Sequence, residues 1–297
     1  MTPHGSGLLR IHVAVVFFGL AGLLGKLTTA TPATIVFTRT LLAAAALWPA
    51  AILSGRVRAL ARTEALAIAA AGLVLAAHWQ TFFLAVKLST VALALLTYSS
   101  FPLFVTFLEP LFLRTRLRAR DVAAAIVVLA GLALIAPPLD PASAMTQGAA
   151  WGIASGFTFA VFTLINRRFA PRVAPVLLAA GENTVAAAAL APFLGAAAFD
   201  LGPRDLALLA ALGLICTALA HLLFMQGLAR VRAHVAAVIA TLEPVYGIVF
   251  AALVLSELPE PRTLLGGAII IGGAAYASLR ERPGGSGGGA QRSISFP

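Results

Sequence analysis

Glu243 stands in the middle of a long apolar run, immediately before Pro244 and one helical turn before Tyr246. A charged side chain at the centre of a membrane helix costs roughly 2.5–3.5 kcal/mol on insertion scales, so a carboxylate there points to a task. Two tasks fit: contact with a substrate ammonium, or carriage of a proton. The structural alternative is a glutamate hydrogen-bonded at a kink, since Pro244 removes a backbone donor and frees carbonyls. The first half of the chain carries a matching feature, Thr97-Tyr98-Ser99-Ser100-Phe101-Pro102. Tyr98 and Ser99 there offer hydroxyls beside an aromatic ring, which suits a moderately polar pocket. The alternative is hydroxyl-to-backbone bonding around a kink at Pro102.

Further ionisable groups lie in apolar runs. His78 and His221 are 143 positions apart and sit at similar depths. Imidazole titrates near neutrality, so either is a candidate proton shuttle or substrate contact; a neutral histidine bonded across helices is the structural alternative. Trp79 and Gln80 follow His78 and point to other faces of a helix. Neither histidine has further metal ligands at suitable spacing, so no metal site is expected. Arg39 and Glu182 share the same 143-residue offset. Their depths differ, however, so they read as separate gate or anchor groups, with Arg39 expected to snorkel to the interface. Ser155 and Thr158 lie on a stripe with Trp151 and Phe162 that suits a cavity wall. Gly152 and Gly156 form a GxxxG pair that suits close helix approach, and Trp48 reads as an interfacial anchor.

The elements that must position these groups are membrane helices. The chain of 297 residues is 60% hydrophobic and 11% charged, too apolar for a soluble domain of this length. Ten runs have the length of a span, at about 11–28, 33–53, 65–86, 90–110, 119–137, 148–166, 174–196, 206–228, 234–255 and 262–280. They are too long, and too little alternating, for barrel strands. The first run reads as the first span rather than a cleavable leader. Cys216 is the single cysteine and forms no internal disulfide. Residues 281–297, rich in Gly and Ser, are expected to form a disordered tail.

The net charge of +10 resides in short loops, so it reads as a topology signal and not as a nucleic-acid surface. With residues 1–10 in the cytoplasm, sixteen Lys and Arg fall inside and only Lys26, Lys87, Arg204 and Arg262 outside. That bias places both termini in the cytoplasm. The second half echoes the first: His78/His221, Lys87/Arg230, Pro102/Pro244, Leu111/Leu253 and Gly131/Gly273 recur at offsets of 142 or 143. Two units, 11–137 and 148–280, therefore hold five spans each. An odd number of spans makes the second copy enter from the opposite face. The expected fold is thus an all-α integral membrane protein of ten helices in two inverted five-helix repeats, the arrangement that gives alternating access around a central site.

These features resemble the drug/metabolite transporter superfamily and its EamA-type branch of ten-helix exporters. Leu242-Glu243-Pro244-Val245-Tyr246 resembles the family's L-E-P-V motif. Leu253-Val254-Leu255-Ser256-Glu257 resembles its terminal leucine-rich motif ending in Gly-Glu, with Ser256 in place of the glycine. In the first copy Phe101-Pro102-Leu103-Phe104 resembles the Pro-containing segment, and Arg114-Thr115 stand where Gly-Glu is typical. The resemblance covers about residues 10–280. The His78-Trp79-Gln80 segment is similar to the bacterial amino-acid exporters often called YddG. It implies export of neutral or aromatic amino acids across the inner membrane, through a cavity lined by spans one, three, four, six, eight and nine. The expected partners are a small-molecule substrate, lipid and, in an antiporter, protons; a monomer without cofactor is expected. A multidrug or other metabolite exporter is the alternative within transport. No catalytic constellation supports a membrane-embedded enzyme, and a receptor would not require the repeat.

Overall fold

The computed structural model describes residues 3–279 apart from 115, 116, 118, 139, 170, 171, 196, 197, 199, 229 and 232. The expected tail 281–297 lies outside the described residues. So do Thr115 and the topology arginines 116, 118, 232, 280, 282 and 292.

Helix α1 (Pro3–Leu27), α2 (Pro32–Leu53) and α3 (Arg62–Leu88) form the first three spans. The fourth is divided into α4 (Val91–Tyr98) and α5 (Phe101–Leu113), and α6 (Ala119–Ile135) is the fifth. The second half repeats the plan with α7 (Ala144–Phe169) and α8 (Pro175–Leu190). Its third span is α9 (Pro203–Ala210), a π-helical segment Ala211–Leu219 and α10 (Ala220–Leu228). Its fourth divides into α11 (Ala233–Ala240) and α12 (Glu243–Leu255), and α13 (Pro261–Leu279) ends it. Among the described residues, seven continuous stretches are long and apolar enough to cross a membrane; the shorter α6, the broken α11–α12 and α13 complete ten.

Local chemistry sets the ends. Pro32, Pro175, Pro203 and Pro261 begin helices at the position that needs no backbone donor. Thr31 and Thr90 cap α2 and α4 by accepting the N–H of Thr34 and Leu93. Both fourth spans break just before a proline at the second helical position, Pro102 in α5 and Pro244 in α12. Both then end on a left-handed residue, Arg114 at φ 54° and Ser256 at φ 57°. That conformation favours glycine, whose place these residues take in the resembling motif.

Packing follows the duplication. α3 packs on α7 as α1 packs on α10; α3 on α8 as α2 on the π segment; α4 and α5 on α7 as α11 and α12 on α1. The pairs α2–α8 and α6–α13 map onto themselves. Exchanging the halves thus leaves the pattern of helix neighbours nearly unchanged, which is the signature of a pseudo-twofold axis between them. Since each half has five spans, the axis lies in the membrane plane. Glycines admit the closest approaches on it: a side chain on Gly131 or Gly266 would meet the other's carbonyl at 2.9 Å.

Candidate functional site

The breaks in the fourth spans of each half lie beside each other at the centre, because α4 packs on α12. On the second-half side, Glu243 opens α12. It is half-buried, and its carboxylate makes no hydrogen bond with the described residues. Gly19 of α1 lies directly against this turn: a side chain there would meet the Glu243 carbonyl at 2.8 Å and the Gly247 nitrogen at 2.9 Å. Tyr246, one turn on, directs its hydroxyl to within 3.5 Å of His12 Nδ1 on α1. His12 was not singled out by its sequence neighbourhood. Its offset of 143 from Ser155 is the signal that pairs it with the other half.

On the first-half side the break is dry and aromatic. Tyr98 is 7% exposed and lies among His78, Phe82, Phe101 and Phe159, with ring centroids 5.4–5.8 Å away. Such offset and edge-on contacts stabilise a packed cluster beyond its area burial. The buried Ser100 Oγ has no partner among the described residues. Two other hydroxyls here turn to their own backbone: Thr97 Oγ1 donates to the Leu93 carbonyl at 2.7 Å and Ser99 Oγ to the Leu95 carbonyl at 2.8 Å. Thr158 does the same with the Ala154 carbonyl at 2.9 Å. The GxxxG pair of α7 seats this break, since a side chain on Gly156 would meet Ser100 Oγ at 2.6 Å and the Tyr98 carbonyl at 2.9 Å.

His78 and Ser155 meet in the α3–α7 interface. His78 Nδ1 lies 2.9 Å from Ser155 Oγ and 3.1 Å from the Ser155 carbonyl oxygen, with both residues buried. Its repeat partner His221, in α10, is half-buried and has no such bond among the described residues. Trp151 is 40% exposed while Ser155 is fully buried, so the stripe drawn through them on α7 does not line one surface.

Arg39 departs from the snorkelling expectation. It is 4% exposed, and its Nε and Nη2 donate to Thr217 Oγ1 at 3.1 and 2.9 Å. The guanidinium lies over the Trp79 ring, 4.1 Å from its centroid. A snorkelling side chain needs polar company only at the headgroups. Here a hydroxyl and an aromatic face supply that company in the core. The π-helical widening of the third span presents Thr217, whose own hydroxyl donates to the Leu212 carbonyl five residues back at 2.7 Å. Gly213 lets α2 approach, since a side chain there would meet the Arg39 carbonyl at 3.0 Å. Arg39 and Glu243 are within electrostatic reach but form no ion pair with each other. Glu182, 2% exposed in α8, interacts with the Asn166 side chain of α7, and its Oε1 has no hydrogen-bond partner among the described residues. Trp48, read as an interfacial anchor, donates from Nε1 to Thr184 Oγ1 at 2.9 Å and lines a cleft of about 450 Å³ between α2 and α8.

Each half matches the model of the EamA-like transporter family, over residues 5–136 and 146–279. The chain belongs to the EamA-like transporter family. It is a multi-pass membrane protein of a transport family rather than of a catalytic one. Two Bacillus subtilis proteins described as uncharacterized transporters resemble it along nearly their whole length. YxxF is 24% identical, with 93% of this chain and 91% of YxxF covered. YwfM is 27% identical, with 92% and 94% covered. An uncharacterized transporter of Archaeoglobus fulgidus is 27% identical over 61% of this chain and 65% of its own. A solved crystal structure shares the fold, with a TM-score of 0.65 at 22% identity over 94% of this chain and 99% of that one.

Proposed function

We propose that this EamA-like transporter is an alternating-access exporter of small metabolites, foremost neutral or aromatic amino acids, in a bacterial inner membrane. Both termini face the cytoplasm, following the sixteen-to-four bias of basic residues. The halves 11–137 and 148–280 move against each other about a site at the paired helix breaks, with Pro102 and Pro244 as hinges.

The observation that carries the substrate class is a pair of opposite charges held in the core without an ion pair between them. Among the described residues the Glu243 carboxylate accepts no hydrogen bond, and it stands one turn before Tyr246, whose hydroxyl lies 3.5 Å from His12. Arg39 holds a positive charge behind Trp79. Their combined field orients a zwitterion, ammonium toward Glu243 and carboxylate toward Trp79 and Arg39. The Tyr98–Phe159–Phe101 cluster offers a flat apolar wall to its side chain. His78, Ser99, Ser155 and Thr158 support that wall through their bonds to backbone and to each other. His221, half-buried and with no such bond among the described residues, is the histidine assigned to solute contact.

A lipophilic-cation exporter is the second reading, favoured by the one observation that Arg39 is shielded by Trp79 whereas Glu243 is not. Uptake into proteoliposomes with a panel of labelled amino acids and one quaternary cation, with and without a pH gradient, separates the two. Amino-acid uptake that falls at least tenfold in Glu243→Gln is the expected result. Uptake of the cation alone would replace the first reading by the second.

A further inference from the structure

The end of the molecule remote from the chain termini is tied by two lysines that exchange helices. Lys26, the penultimate residue of α1, donates from Nζ to the carbonyl of Val86 at 2.8 Å and to that of Ser89, at the end of α3. Lys87, the penultimate residue of α3, donates from Nζ to the Thr28 carbonyl just beyond α1. The two helices run parallel, so their negative C-terminal ends meet and repel; each lysine caps the other helix and removes that repulsion. Asp205 of α9 joins them. It accepts from Thr28 Oγ1 at 2.6 Å, Thr29 N–H at 2.8 Å and Thr29 Oγ1 at 2.6 Å, and it lies within electrostatic reach of Lys87. Glu257, beyond α12, accepts the first N–H of α4 from Val91 at 2.9 Å. Beneath this layer Gly25 is packed on the Phe83 ring and Gly22 on Val91, so the far end is sealed.

The pseudo-twofold axis maps this seal onto the other end, between α7 and α10, and there no such layer joins the described residues. α1 packs against α3 and α4, whereas α7 has no comparable packing against α10 or α11 among the described residues. Yet the basic residues are in place. The penultimate residue of α7 is Arg168, and the repeat partner of Lys87 is Arg230. Both are exposed and bonded elsewhere, Arg168 to the Phe112 carbonyl at 3.0 Å and Arg230 to Ser6 Oγ at 2.7 Å. One tie does have its counterpart at each end. Asp205 grips the α1–α2 loop, while Glu64, paired with Arg58 at 2.8 Å, is linked through Arg58 to the Arg172 carbonyl of the α7–α8 loop at 2.6 Å. These are frame contacts; among the described residues the clasp is one-sided.

Resting on the transport reading, we propose that Lys26 and Lys87 form a reciprocal helix-capping clasp that holds the far gate shut, and that Arg168 and Arg230 form the equivalent clasp between α7 and α10 when the carrier faces the other way. The structure described here is the far-closed state. The two clasps compete for one conformational equilibrium, so weakening either moves the protein toward the opposite state.

The test uses two single-cysteine reporters of the full chain in a Cys216→Ser background. Leu24→Cys lies beneath the far clasp, and Thr163→Cys lies near the C-terminal end of α7. Each is labelled in reconstituted vesicles by a membrane-impermeant maleimide from its own side. With Lys26→Met and Lys87→Met together, Leu24→Cys should label about tenfold faster and Thr163→Cys more slowly, the shift expected when partly buried cations leave helix C-termini. Arg168→Met with Arg230→Met, both at exposed positions, should shift the two rates in the opposite directions. Lys26→Arg with Lys87→Arg should restore protection. Unchanged reporters in well-folded variants, or shifts of the same sign for both pairs, overturn the clasp. If the reporters respond with opposite signs while no solute of the panel moves, the clasp stands and the cargo assignment fails. If solute moves and the reporters do not respond, the reverse holds.

Discussion

Removing one hydroxyl should reveal how the buried guanidinium of Arg39 is held. Thr217→Val keeps the shape of the side chain but deletes the acceptor of two N–H groups, at 3.1 and 2.9 Å. Hydrogen bonds to charged groups contribute roughly 1.5–3 kcal/mol, and a buried donor left without a partner costs about 1–3 kcal/mol. The hydroxyl's bond to the Leu212 carbonyl is lost as well, at about 0.5–1.5 kcal/mol. The expected loss is therefore about 2–4 kcal/mol. At roughly 2–4 °C per kcal/mol for a chain of this size class, Tm in detergent should fall by about 4–16 °C. The decisive measurement is the double-mutant cycle with Arg39→Met. Without the guanidinium, only the Leu212 bond is lost, so the cost of Thr217→Val should drop to about 1 kcal/mol, leaving a coupling of about 2 kcal/mol. Equal costs in the two backgrounds, read by thiol-independent thermal unfolding, would refute the assignment and leave Thr217 as a support for the π turn alone.

Ser256→Gly and Arg114→Gly should each stabilise the protein by about 1 kcal/mol, because both positions hold a left-handed backbone that costs a side chain about that much; a fall in Tm would contradict the cap geometry. Gly156→Val should destabilise by about 1–3 kcal/mol, since the Tyr98 carbonyl 2.9 Å from the new Cβ is backbone and cannot swing aside. Trp79→Leu should cost about 2 kcal/mol through the desolvated cation–π contact, and Trp79→Phe less; equal losses would mean that ring area rather than the cation is what matters.

Much of the architecture was legible because the membrane makes sequence speak plainly. A span needs a sustained apolar run, and the loops carry the charge that orients it. The ten runs correspond to ten observed spans, although four of their helices are shorter than a span because the fourth spans break before Pro102 and Pro244. Glu243 stands out as a candidate from its type and depth alone, and the structure places it at the start of α12. Arg39 was harder, because sequence depth does not reveal that Trp79 and Thr217, from two other helices, stand ready to receive it. His12 was missed since nothing local to it hints at Tyr246, 234 positions away. Lys26 and Lys87 were counted only as topology signals, for a lysine at a helix end looks the same whether it faces water or a neighbouring C-terminus.

By itself, then, the sequence determined the solvent of the protein, the number of its spans and the duplication. All three follow from composition and periodicity along one chain, where each residue contributes independently. Only the tertiary structure decided which groups meet between helices, as Lys26 meets Ser89 and Lys87 meets Thr28 about sixty residues apart. Such contacts depend on how distant segments pack, which composition and periodicity along one chain do not carry.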